Sequence, residues 1–128
     1  MKAIRSLIVL AAVAIVTGCT TMADSIAEKG TGPYRIYEKP KSEVWAATVE
    51  AVPSVGLKLV TANESSNMIL AQRGVTAFSY GENVAIFIEN YNGNQSRVEI
   101  VSKRAMETNV FAPDWSRSLF AYLDSKLK

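Results

Sequence analysis

Apolar and polar positions along the chain follow two periods, and the switches between them outline one domain. Pro33 to Glu38 alternates around Tyr34 and Ile36 and predicts a short strand, with proline at its start. Pro40, Lys41, Ser42 and Glu43 supply helix-start chemistry: proline suits a first turn, Ser42 can cap, and Glu43 suits the positive end of the dipole. From there Val44, Ala47, Thr48, Ala51, Val52 and Val55 recur every three or four residues, with Trp45 and Val49 widening the apolar face of a helix. Pro53 and Gly56 end it between Val52 and Val55. Four strands are then predicted: Leu57 to Thr61, Met68 to Arg73, one carrying Val84, Ile86 and Ile88, and one carrying Val98 and Ile100 beside outward Arg97, Glu99 and Lys103. Asn63 to Asn67 is a polar turn, and the Asn92-Gly93 pair predicts a type I′ hairpin between the last two strands. Pro113, Asp114 and Trp115 open a final helix, down which Leu119, Leu123 and Leu127 share a face flanked by Trp115 and Phe120. The order β-α-β-β-β-β-α predicts an α+β domain over 33–128, an antiparallel sheet of about five strands with two helices packed on one face.

Ahead of this domain the pattern changes. Leu7 to Val16 is an unbroken run of ten apolar residues behind Lys2 and Arg5, which predicts a signal peptide over 1–18. The run is well short of the roughly 20 residues that span a bilayer. It closes on Val16-Thr17-Gly18-Cys19, which resembles the lipobox of bacterial lipoproteins: an aliphatic residue, a small residue, Gly or Ala, then Cys. The resemblance implies a diacylglyceryl thioether on Cys19 and cleavage between Gly18 and Cys19. Two or more acyl chains make such anchoring stable, since each buried methylene contributes about 0.8 kcal/mol. In Gram-negative relatives of this pattern aspartate after the cysteine favours inner-membrane retention; Thr20 stands there, so the implied location is the outer membrane, facing the periplasm. Thr20 to Gly32 lacks a sustained apolar period and ends in Gly30-Thr31-Gly32, so 19–32 reads as the lipidated cysteine and a flexible tether of roughly 20 Å. A short interfacial helix around Met22, Ile26 and Ala27 is the alternative.

Composition then removes most chemistry. Lys plus Arg is 14 and Asp plus Glu 12, and without Lys2 and Arg5 the balance is 12 against 12. A formally neutral domain lacks the basic footprint of a nucleic-acid binder. No histidine occurs and the single cysteine is committed to lipid, so Cys/His zinc sites, Cys/His nucleophiles and Ser/His/Asp triads are excluded. Glu82, Glu89, Glu99, Glu107 and Asp114 have no signature spacing, and the neighbours Lys41/Ser42 and Ser102/Lys103 point to different faces. The sequence therefore predicts no catalytic residue, no metal site and no cofactor.

Two candidate sites remain. Gly74 to Asn83 places Phe78 and Tyr80 between two glycines, either as partner-binding aromatics on a loop or as part of an extra strand packed on the sheet. Trp45 and Trp115, near the helix starts, either line a ligand groove or belong to the core. Val44-Trp45-Ala46-Ala47-Thr48 followed by Val55-Gly56-Leu57-Lys58-Leu59 resembles small bacterial envelope lipoproteins and the helix-grip domains of the lipoprotein subunit of the outer-membrane barrel assembly machine, over Tyr34 to about Lys103. That resemblance implies a non-enzymatic accessory or binding role. The expectation is a membrane-anchored periplasmic lipoprotein with a structural or protein-binding role and an envelope protein as partner. The alternative is a carrier or sensor of a small lipid, peptide or glycan.

Overall fold

The computed structural model describes residues 21–74, 81–104 and 114–128. Its elements are α1 (Met22–Ala27), β1 (Tyr34–Tyr37), α2 (Lys41–Ser54), β2 (Lys58–Asn63), β3 (Met68–Arg73), β4 (Glu82–Asn90), β5 (Ser96–Arg104) and α3 (Trp115–Leu127). The five strands form one antiparallel sheet in the order β1-β5-β4-β3-β2, so the chain has the expected α+β architecture. β2 to β5 are neighbours in sequence and in space, as short connections favour. β1 and β2 lie at opposite edges, and α2 joins them. Its 14 residues extend about 21 Å at 1.5 Å per residue, close to the ~19 Å width of five strands spaced ~4.8 Å apart.

α2 and α3 cover one face of the sheet. Val44, Ala47, Ala51 and Val52 of α2 and Leu119, Phe120 and Leu123 of α3 meet Ile69, Ala71, Val84, Ile86, Ile88, Val98 and Ile100 in the main core. The three- and four-residue recurrence read from the sequence is the recurrence of these contacts. Pro53 is tolerated in the last turn of α2, and Gly56, at φ +100°, lets the chain leave it.

Three local expectations are corrected. Ser42 does not cap α2: the cap is Pro40, whose extended backbone turns its carbonyl to accept the N–H groups of Glu43 and Val44, while Ser42 sits inside the first turn. The β4–β5 connection is not a type I′ turn on Asn92-Gly93, because among these residues only Gly93 takes a positive φ, +55°. The Gln95 N–H bonds the Asn92 carbonyl, so the turn starts one residue later than expected and Gly93 takes its first central position. Nor is 21–32 a tether. Met22–Ala27 is helical and packs on the second face of the sheet, where Leu70, Ala85, Phe87 and Val101 form a smaller cluster with Met22 and Met68. The sheet is therefore sandwiched, two helices on one side and α1 on the other.

Candidate functional site

The N-terminal segment is fixed to the sheet by polar contacts that its sequence specifies. Thr21 caps α1, and the Asp24 carboxylate accepts from its backbone N–H and its hydroxyl. The backbone bond and then the hydroxyl bond hold the Asp24 carboxyl below its usual range. One turn later Ser25 is fully buried and its hydroxyl donates to the Asn83 carbonyl at 3.3 Å. Beyond the helix Glu28 pairs with Lys103 at 2.5 Å; Lys29 pairs with Glu89 at 2.5 Å and lies 5.3 Å from the centre of the Phe87 ring.

The segment closes on Glu99. Expected to point into solvent, this residue is 0% exposed. The Gly30 N–H donates to both carboxylate oxygens at 3.0 and 2.7 Å, the Gly32 N–H donates at 3.0 Å, and Arg97 stands 3.8 Å away. A buried carboxylate is tolerable only with such charge-assisted donors. Both glycines are required by the geometry: Gly30 has φ +95°, and a Cβ on Gly32 would fall 2.5 Å from the Ile100 carbonyl oxygen. The Gly30-Thr31-Gly32 stretch is thus a carboxylate clasp rather than the end of a flexible tether.

On the other face, the last turn of α3 and the edge strand β1 enclose an open cleft of about 470 Å³ whose lining includes Arg35, Tyr37, Lys39, Asp124 and Leu127. Tyr37 donates its hydroxyl to Asp124 at 2.9 Å, and the Arg35 guanidinium pairs with the other oxygen of Asp124 while lying 4.7 Å from the centre of the Phe120 ring. Burial raises the Tyr37 hydroxyl above its ordinary pKa, against the lowering influence of Arg35. Smaller clefts of about 280 and 190 Å³ lie between α2 and α3 and beside Thr31 and Ser102.

The residues singled out in the sequence are dispersed. Gly18 and Cys19, and likewise Phe78 and Tyr80, fall outside the described residues. Trp115 is buried in the main core with its ring 5.4 Å from the Arg73 guanidinium, and its Nε1 has no hydrogen-bond partner among the described residues. Trp45 is partly buried against the same core. Neither lines any of these three clefts. Asp114 caps α3 by accepting the Ser116 N–H at 3.0 Å. Among the described residues no three acidic or cysteine side chains gather as a metal site requires, and no helix is long and apolar enough to cross a membrane.

Two features had legible signals that the periodicity obscured. Thr21-Met22-Ala23-Asp24 has the spacing of a capping box, with aspartate in place of glutamate. Leu70, Ala85, Phe87 and Val101 are apolar at positions out of phase with the main core, which marks a sheet covered on both sides and hence a buried Glu99.

No family model matches the chain, and no curated protein does. Solved structures do match it. One, the crystal structure of Ara h 8.0201, is 11% identical, with a TM-score of 0.50 over 75% of this chain and 95% of that one. At that identity the likeness concerns the fold alone.

Proposed function

We propose that the chain is a lipoprotein of a bacterial envelope, held by a diacylglyceryl group on Cys19 in the outer membrane and facing the periplasm, whose domain binds an envelope protein without catalysing a reaction. The observation that carries this reading is the order Leu7 to Val16, Val16-Thr17-Gly18-Cys19, then a folded helix from Met22. An apolar leader ending in a small residue, glycine and cysteine has a specific chemical use, because a thiol is the strongest side-chain nucleophile available for forming a thioether with a diacylglyceryl group. A single residue, Thr20, lies between Cys19 and Thr21, so the lipidated residue and the fold are at most about 7 Å of extended chain apart. The test is Cys19→Ala in cells fed an alkyne fatty acid. The native chain should float with membranes and carry the label, and Cys19→Ala should do neither. A variant that still floats as the native chain does refutes the anchor.

The cleft under α3 supports a second reading, a carrier or sensor of a small lipid, peptide or glycan. Its volume of about 470 Å³ falls inside the ~300–1,000 Å³ range of small-molecule sites. Native mass spectrometry of protein extracted from membranes should then show a bound small mass that Leu127→Trp, which fills the cleft, removes. A bare chain in both samples rejects a carried ligand.

A further inference from the structure

Six large apolar side chains are exposed among the described residues: Ile26, Tyr34, Ile36, Leu59, Val60 and Tyr91. Leu59 and Val60 lie on the β2 edge, and Tyr91 in the β4–β5 connection. The other three belong to one side of the sheet. Tyr34 stands opposite Glu99 and Ile36 opposite Arg97, and residues directly opposite in an antiparallel pair share a face. Glu99 is held by Gly30 and Gly32 on the α1 side, so Tyr34 and Ile36 look out on that side, at 56% and 37% exposure. Ile26 is 36% exposed on α1 itself. Arg97 lies 4.2 Å from the centre of the Tyr34 ring, an aromatic and cationic pair of the kind that suits a boundary between apolar and aqueous media.

The electrostatics of this side are balanced. Lys29, Arg97 and Lys103 face Glu89, Glu99 and Glu28 respectively. A partner recognised by charge would find little here, whereas a surface that accepts small apolar insertions would find three. The chain outside the described residues says which surface. It reaches α1 from the apolar run Leu7 to Val16 through Cys19, and α1 packs on this side of the sheet. A connection of about 7 Å is shorter than the ~13 Å radius of gyration of a domain of about 100 residues. A domain held that closely cannot stand clear of the bilayer, and its attachment point brings the α1 side down first.

We propose that the α1 side of the domain lies on the membrane surface, with Ile26, Tyr34 and Ile36 in the headgroup region. The proposal rests on the lipid-anchor reading and adds an orientation: the β1/α3 cleft, on the opposite face, is turned away from the bilayer. Because Cys19 is the only cysteine and is consumed by lipid, single cysteines introduced by Tyr34→Cys, Ile36→Cys, Val60→Cys and Tyr91→Cys can each be labelled uniquely. The labelled, lipidated full chain, carrying an environment-sensitive fluorophore, is reconstituted in vesicles of phosphatidylethanolamine and phosphatidylglycerol containing a headgroup spin-labelled lipid. Quenching at positions 34 and 36 should exceed that at 60 and 91 at least threefold, with blue-shifted emission. Flotation with equal quenching at all four positions overturns the orientation while leaving the anchor standing. Blue-shifted emission at 34 and 36 without lipid quenching, seen in native membranes, overturns it in favour of a protein partner on this face. Failure to float overturns the anchor, and the orientation falls with it.

Discussion

Replacing Glu99 by alanine is the sharpest probe of how the N-terminal segment is held. The carboxylate takes two backbone donors, Gly30 and Gly32, at 2.7 to 3.0 Å, in a site with no solvent exposure. Hydrogen bonds to a charged group contribute roughly 1.5–3 kcal/mol each, and an unpaired buried donor forfeits a similar amount. Two donors at the lower end give a loss of about 3 kcal/mol, or at least ~12 °C in Tm at ~4 °C per kcal/mol for a domain of this size. Two routes can express that loss. If the segment and the sheet unfold together, urea denaturation shows the full change with an unaltered slope. If residues 21–33 detach first, the global loss is smaller and hydrogen exchange at Gly30, Gly32 and Ser25 rises by about two orders of magnitude. Glu99→Gln keeps one acceptor without its charge and should fall about halfway between. A Glu99→Ala protein that loses less than about 1 kcal/mol and keeps native exchange rates at Gly30 and Gly32 refutes the clasp.

Other predictions follow from geometry already described. Gly32→Ala places a Cβ 2.5 Å from the Ile100 oxygen and 3.0 Å from the Val101 Cγ2, and urea titration should show a loss of about 2 kcal/mol. Gly93→Ala, with open space around it at φ +55°, should lose only about 1 kcal/mol by the same measurement. Leu119→Ala, at a fully buried position against the sheet, should cost about 3 kcal/mol by thermal denaturation. The raised Tyr37 pKa means that the folded state holds its hydroxyl proton more tightly than the unfolded chain does. Stability from this source is complete below the ordinary tyrosine pKa of 10.0 and is lost as pH rises through the folded value. Absorbance at 295 nm should show one tyrosine ionising later than the rest, and Tyr37→Phe should remove both that step and part of the alkaline destabilisation.

The elements were legible wherever one face of an element was wet and the other dry. The period of α2 and the spacing of Leu119 and Leu123 in α3 are set by burial against the sheet, so sequence and structure agree there. Legibility failed where the second face of the sheet was also covered. Glu99 looked outward because charge on a strand is usually solvated, and only the distant Gly30 and Gly32 make its burial tolerable, some 70 positions earlier in the chain. The six residues of α1 are too few for a periodic signal; its position depends on Ser25 and Met22 reaching the sheet. The Tyr37–Arg35–Asp124 contact was equally hidden, since it forms between elements that only the fold brings together.

The β1–β5 pairing also imposes an order of events. Tyr34 pairs with Glu99 across most of the domain's length, so a chain threaded N-terminus first exposes β1 early and completes it late. Until residue 99 has followed, Gly30 and Gly32 have no carboxylate to grip, and the segment they belong to is not clasped to the sheet. On the lipoprotein reading, the bond between Gly18 and Cys19 is therefore open to the modifying enzymes throughout translocation. On the same reading, arrival of β5 acts as a latch: it supplies the Glu99 carboxylate that draws Gly30 and Gly32 against the sheet.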